Sequence, residues 1–154
     1  MIQFLGNIEA KIDTKARVFI PAAFRKSLLS SSQTSLILRK DIFQNCLVLY
    51  PQETWDAEIQ QLRSRLSRWD KSQQQLLRQF VIDAEQLEMD SNGRILIPRR
   101  YLEMVNITTE VRFIGVDNTI EIWNKEALEE TLLPANEFGS MLEKLMNEKE
   151  HFEK

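Results

Sequence analysis

Along the first fifty residues the apolar positions change period several times. Ile8, Ala10 and Ile12 alternate with Glu9, Lys11 and Asp13, the two-residue period of a strand with one buried face. Residues 13–16 interrupt that period with turn chemistry. Apolar residues 18–20 predict a second, short strand that ends at Pro21. Proline cannot donate to a central ladder but suits the first turn of a helix, so the pattern predicts a short helix over 21–28. Two further apolar runs, 36–38 and 47–50, predict strands joined by a hairpin with its tip at 41–45. Three stripes of helical period follow. Trp55, Ile59, Leu62 and Leu66 form the first. Leu76, Leu77, Phe80, Val81 and Ala84 form the second, opened by the capping box Ser72-x-x-Gln75. Phe138, Met141, Leu142 and Leu145 form the third, after Pro134. All three read as packing faces rather than cofactor sites. The sequence leaves open whether they pack within one chain or between neighbours.

The pattern occurs twice. Ile12-Asp13-Thr14-Lys15-Ala16-Arg17-Val18-Phe19-Ile20-Pro21 and Met89-Asp90-Ser91-Asn92-Gly93-Arg94-Ile95-Leu96-Ile97-Pro98 share the form apolar-Asp-x-x-x-Arg-apolar-apolar-Ile-Pro, 77 residues apart. An aromatic residue, Phe24 or Tyr101, follows three positions after each proline. Leu36-Ile37-Leu38 then matches Val111-Arg112-Phe113, Asp41 matches Asp117, and Leu47-Val48-Leu49-Tyr50 matches Ile120-Glu121-Ile122-Trp123. Matches in the same order over some forty residues indicate a duplication. One unit is too small to close a core. The expectation is therefore an α+β protein whose two units pair about a pseudo-two-fold axis into a barrel-like body. It divides into a first repeat over 5–52, a helical pair over 53–80, a second repeat over 81–124 and a helical tail over 125–154.

Composition narrows the class. Hydrophobic residues make up 43% and charged residues 28% of the 154, as in globular rather than disordered chains. No apolar run approaches the ~18–20 residues of a membrane span. The first residues, MIQFLGNIEAKID, lack a basic start followed by an apolar stretch, and Cys46 has no second cysteine to pair with. A cytoplasmic protein without a membrane partner is expected. Net charge is −3, but it is uneven: residues 1–50 carry +4 and residues 124–154 carry −4. A local basic patch sets the field that a phosphate meets, so the total does not exclude a polyanion.

Enzyme readings find little support. His151 is the only histidine, which leaves no His-based triad or metal cluster. Neither a Gly-x-x-x-x-Gly-Lys nor a Gly-x-Gly-x-x-Gly loop occurs. Cys46 beside a strand reads as a small buried residue, and Glu129 and Glu130 read as solvated. No metal, cofactor or small-molecule substrate is expected. The residues alone leave a carboxylate-only hydrolase open.

The paired Asp-x-x-x-Arg motifs, each leading into apolar-x-Ile-Pro and set either side of a helical pair, resemble the MraZ family of bacterial transcriptional regulators. The likeness extends to Phe4-x-Gly6, to Leu49-Tyr50-Pro51 with Trp55, and to Glu121-x-Trp123, and covers the chain to about residue 130. It implies a double AbrB-like swapped-hairpin fold and assembly into a homo-oligomeric ring. It also implies binding of double-stranded DNA at short direct repeats upstream of the division and cell-wall gene cluster, and association with the nucleoid. One departure stands out. The family usually has Gly before the motif's Arg, as at Gly93, whereas the first copy has Ala16. Alanine tolerates positive φ poorly, so the first turn is expected to differ in geometry, with consequences for the aim of Lys15.

Arg17 and Arg94 fall just after the two turns, where a guanidinium fork meets phosphate or a guanine edge. Lys15, Arg25, Arg99 and Arg100 supply nearby charge for backbone contacts. The competing reading makes Asp13 with Arg17, and Asp90 with Arg94, purely structural braces; the two readings are compatible. One chain offers roughly two to six phosphate contacts, and non-specific binding at ~10⁻⁴–10⁻⁶ M is too weak for a promoter. Linked copies gain ~10²–10⁴ in avidity, so tandem sites are expected to bind far better than single ones. The rivals are an AbrB-like antidote that neutralises a toxin or enzyme through its acidic tail, and a purely structural ring.

Overall fold

A computed structural model describes residues 2–148; His151 lies outside them. The order of elements is β1 (Phe4–Lys11), β2 (Arg17–Phe19), α1 (Ala22–Ser30), β3 (Ser35–Lys40), β4 (Leu47–Pro51), α2 (Gln52–Ser64), α3 (Lys71–Ile82), β5 (Glu85–Glu88), β6 (Arg94–Leu96), α4 (Arg99–Met104), β7 (Glu110–Asp117), β8 (Thr119–Trp123), α5 (Lys125–Thr131) and α6 (Ala135–Met146). The expected α+β class with two repeats is what these elements form.

Six strands make one antiparallel sheet in the order β1-β7-β8-β4-β3-β5, while β2 and β6 pair as a separate two-stranded ribbon. Both arrangements are symmetric about the duplication. The first strand of each unit leaves its own hairpin and pairs with the other unit's: β1 with β7, and β5 with β3. The hairpins meet at the centre, where Leu49 faces Ile120 across β4 and β8. Hydrogen bonds outside the strands repeat as well. The Ile12 amide donates to the Thr109 carbonyl at 2.7 Å, and the Met89 amide to Thr34 at 3.2 Å.

This exchange is what lets two small units share one core. Val18, Ile20, Phe24 and Leu28 of the first unit lie with Ile95, Ile97, Tyr101 and Leu102 of the second in a single buried cluster. At ~25 cal/mol per Å² of apolar surface removed from water, such a shared core stabilises far more than either half alone. The short helices α1 and α4 start one residue after Pro21 and Pro98. Each ends near a residue in the left-handed region, Ser32 or Asn106, both at φ 56°.

A second, smaller cluster joins the sheet to the helical hairpin. Ile37, Val48 and Tyr50 are buried there against Trp55 and Ala84. Trp55 meets Tyr50 edge-on at 5.3 Å and stacks on Phe80 at 5.6 Å. Two local expectations are corrected. The cap of α3 is Asp70, whose side chain accepts from the Gln73 amide at 3.1 Å, rather than Ser72. The helix starts two residues earlier because Asp70 offers a carboxylate to an orphan amide. Leu66 lies beyond the end of α2 at Ser64 and is no part of its stripe.

Candidate nucleic-acid interface

The ribbon is built from two three-residue strands of opposite direction, Arg17-Val18-Phe19 and Arg94-Ile95-Leu96. Side chains alternate across it. Val18 and Ile95 face each other inward and are buried. Arg17 stands opposite Leu96, and Phe19 opposite Arg94, on the outer side. Phe19 is 53% exposed and Leu96 54%, so the outer face presents two guanidiniums and two apolar groups to solvent.

Each arginine is held by its own turn. The Asp13 carboxylate accepts the Lys15 and Arg17 amides on Oδ1, both at 2.9 Å, and Arg17 Nε on Oδ2 at 2.9 Å. Asp90 repeats this with the Asn92 and Arg94 amides at 2.9 Å and Arg94 Nε at 3.0 Å. The backbone amide of the arginine, aided by its side chain, lowers both carboxyl pKa values below the usual carboxylate range. The brace anticipated as a competing reading is present in both copies. It uses only Nε, however. Among the described residues, neither Nη of Arg17 nor of Arg94 donates a hydrogen bond to the protein. A carboxylate thus fixes the stem of each fork and leaves its Nη ends without a protein acceptor, with the side chains of Arg17 and Arg94 34% and 24% exposed and the Arg94 guanidinium over the Phe19 ring at 5.7 Å.

The departure at Ala16 does not alter the turn. Ala16 adopts φ 63° and Gly93 φ 85°, and each amide donates to the carbonyl of its Asp, at 3.1 and 3.0 Å. Alanine is held in this strained region because the turn is fastened by the Asp carboxylate and by the ribbon itself: the Ala16 carbonyl accepts from Ile97 at 2.9 Å.

Other predicted cations reach the turns from the opposite repeat. Arg99, at the start of α4, donates from Nη2 to the Thr14 carbonyl at 2.8 Å. Arg25 of α1 lies across Gly93, where a Cβ would come within 2.3 Å of its Cδ. Lys15 is exposed at the tip of the first turn. Around the two turns, five cations (Lys15, Arg17, Arg25, Arg94 and Arg99) accompany the carboxylates of Asp13 and Asp90. Arg100 is placed differently. It lies over the Tyr101 ring at 4.3 Å, donates to the Tyr101 hydroxyl at 3.1 Å and approaches Glu85 at 3.8 Å. Tyr101 itself donates to the Asp83 carbonyl.

Phe19 and Leu96 were missed by sequence reasoning. Their apolar character suggests core, and only the register of the ribbon turns them outward. The alternation Arg-Val-Phe was the available signal. Cys46 is fully buried, and burial raises its thiol pKa well beyond the ordinary range, as for an inert packing group. Among the described residues no group of three or more His, Cys, Asp or Glu is arranged to hold a metal. No helix there is long and apolar enough to cross a membrane.

The fold and this surface define a duplicated, strand-exchanged protein that presents a cationic β-ribbon on its outside. Comparison with known proteins places it further. The family described as "MraZ protein, putative antitoxin-like" matches residues 3–79 and again 80–145. The transcriptional regulator MraZ of Bacteroides fragilis is 57% identical over 148 residues, 96% of this chain and 94% of that protein. Its namesakes in Phocaeicola vulgatus and Shewanella oneidensis are 52% identical over 145 residues (94% of each chain) and 35% over 124 residues (80% of this chain, 81% of that one). The chain belongs to the MraZ family of transcriptional regulators.

Proposed function

We propose that this protein regulates transcription by binding double-stranded DNA through the outer face of the β2–β6 ribbon. One observation carries the reading. Two guanidinium forks, each fastened at Nε and free at both Nη, project from a two-stranded ribbon. A ribbon of this kind fits the major groove of B-DNA, and an arginine fork matches the O6 and N7 acceptors of guanine. Lys15, Arg25 and Arg99 flank the forks as phosphate contacts, and Phe19 and Leu96 offer apolar contact to thymine methyls. Arg100, committed to Glu85 and Tyr101, contributes least.

Because one ribbon supplies few phosphate contacts, specific binding rests on several copies acting together on tandem promoter repeats. The family resemblance favours, as targets, repeats upstream of the division and cell-wall genes, including the protein's own gene, and with them a location in the cytoplasm at the nucleoid. The test is a gel-shift series on DNA upstream of its own gene, with one, two or three repeats at ~50–150 mM salt. Affinity is expected to rise steeply with repeat number and to collapse in Arg17→Ala with Arg94→Ala. Equal affinity across the series would end the tandem-site reading.

The words "antitoxin-like" in the family description favour one second reading, in which the acidic C-terminal helices bind a protein partner. DNA binding that survives loss of both arginines would favour it.

A further inference from the structure

A cleft lies beside the second turn. Helix α1 has nine residues where α4 has six, and the longer helix brings Arg25 and Leu29 alongside residues 90–93. The space between them, bounded also by Thr34 and Met89, measures 410 Å³, within the ~300–1,000 Å³ of small-molecule sites. Its walls are of two kinds. Met89 is buried and Leu29 is 57% exposed, giving the cleft an apolar part. Thr34, Ser91 and Asn92 are exposed and polar.

Arg25 is the charged centre of this cleft. It is half-buried, and its stem lies across Gly93, with Cδ 2.3 Å and Nη1 3.2 Å from where a Cβ would stand. Only a residue without a side chain leaves that path open. Among the described residues the Arg25 guanidinium has no hydrogen bond or ion pair, and the Thr34 and Ser91 hydroxyls and the Asn92 carboxamide have no hydrogen-bond partner. The nearby Asp90 carboxylate is engaged elsewhere: Oδ1 accepts the Asn92 and Arg94 amides and Oδ2 accepts Arg94 Nε. Arg25 and Arg94 against Asp90 leave the cleft with one net positive charge. The first turn is different, because its neighbouring cation Arg99 already donates to the Thr14 carbonyl.

We propose that this cleft binds a small amphipathic anion, one carboxylate or phosphate group on a compact apolar body, and that its binding opposes that of DNA. The two-pronged end of Arg25 matches such a head group bidentately. Ser91 and Asn92 donate to its remaining oxygens, and Leu29 and Met89 cover the apolar body. A half-buried cation without an acceptor attracts an anion more strongly than a fully solvated one, since fewer waters screen it. The same arginine is a proposed contact to DNA phosphate, and the opposition to DNA rests on that function. A bound anion neutralises Arg25 and adds negative charge beside the Arg94 fork. DNA and the anion then weaken each other's binding by the same factor.

Equilibrium dialysis of the full chain without DNA tests the site, with phenyl phosphate as the probe. Saturable binding with Kd below ~1 mM is expected. Inorganic phosphate, which lacks the apolar body, and phenol, which lacks the charge, are each expected to bind about tenfold more weakly or worse. Arg25→Ala and Leu29→Ser are each expected to weaken phenyl phosphate about fivefold or more, with circular dichroism verifying that both variants are folded. Gel shifts on DNA upstream of the protein's own gene, at fixed ionic strength, test the opposition. Saturating phenyl phosphate is expected to weaken DNA binding by about fivefold or more, and to lose that effect in Arg25→Ala. No saturable binding, or binding that neither substitution weakens, overturns the site and leaves the DNA-binding function standing. Equal affinity for phenyl and inorganic phosphate would show a plain phosphate seat of the kind a DNA backbone fills, and overturns the small-molecule site. Phenyl phosphate that binds without affecting a DNA complex overturns the opposition alone. A chain that binds phenyl phosphate but shifts no DNA keeps the site and overturns the DNA-binding function, and the opposition with it.

Discussion

Ala16 and Gly93 occupy the same left-handed position in the two turns, at φ 63° and 85°, one with a side chain and one without. The difference has a neighbour as its reason. Gly93 has the Arg25 stem lying across it, where a methyl group would meet Cδ at 2.3 Å, whereas the Ala16 methyl is itself buried.

The two positions therefore respond unequally to exchange. Gly93→Ala is expected to destabilise by about 1–2 kcal/mol, since it adds left-handed strain and displaces Arg25. Ala16→Gly is expected to change stability by less than about 0.5 kcal/mol, because relief of strain offsets a lost buried methyl worth ~0.8 kcal/mol. Urea denaturation of both variants measures the contrast.

The two faces of the ribbon separate stability from binding. Ile95→Ala, on the inner face, is expected to cost about 2–5 kcal/mol. Phe19→Ala, on the outer face, is expected to alter stability by less than about 0.5 kcal/mol while weakening DNA binding severalfold. Thermal unfolding together with gel shifts distinguishes the two effects. A Phe19→Ala variant with native affinity would remove that ring from the interface.

Acid should act on the braces late. The folded-state pKa values of Asp13 and Asp90 are depressed, so their contribution is complete above the ordinary aspartate range and is lost as pH falls through the lower native values. Carboxyl-carbon NMR titration is expected to place both midpoints below 3.8, the ordinary value. A midpoint at or above it would show that the arginine contacts do not persist in solution.

Glu58 has the opposite sign. The residue is exposed as a whole, but partial desolvation of its carboxyl raises the pKa, with Tyr50 and Arg39 offsetting part of the effect. The ionised form therefore costs a little stability at neutral pH, a small effect because solvent screens the exposed carboxylate, and the cost fades as pH falls through the raised value. Glu58→Gln is expected to raise the melting temperature at pH 7 and to lose that advantage near pH 4. A gain of the same size at both values would show that charge is not the cause.

The sequence determined much of this protein by itself. Local alternation marks β1, proline marks the starts of α1 and α4, and the recurrence of Asp-x-x-x-Arg marks the duplication; each of these signals lies within a few adjacent residues. What lay beyond it depends on partners distant along the chain. That Phe19 and Leu96 point outward is decided by the β2–β6 register, which joins residues 77 positions apart. Left-handed Ala16 is held not by its own turn alone but also by Ile97, from the other repeat, whose amide donates to its carbonyl. Arg99 and Arg25 reach the turns only because the two units exchange strands. Period and turn chemistry are short-range properties of a chain; which face of a ribbon meets water, and which arginine stands beside which turn, is settled only when two distant halves close over one core.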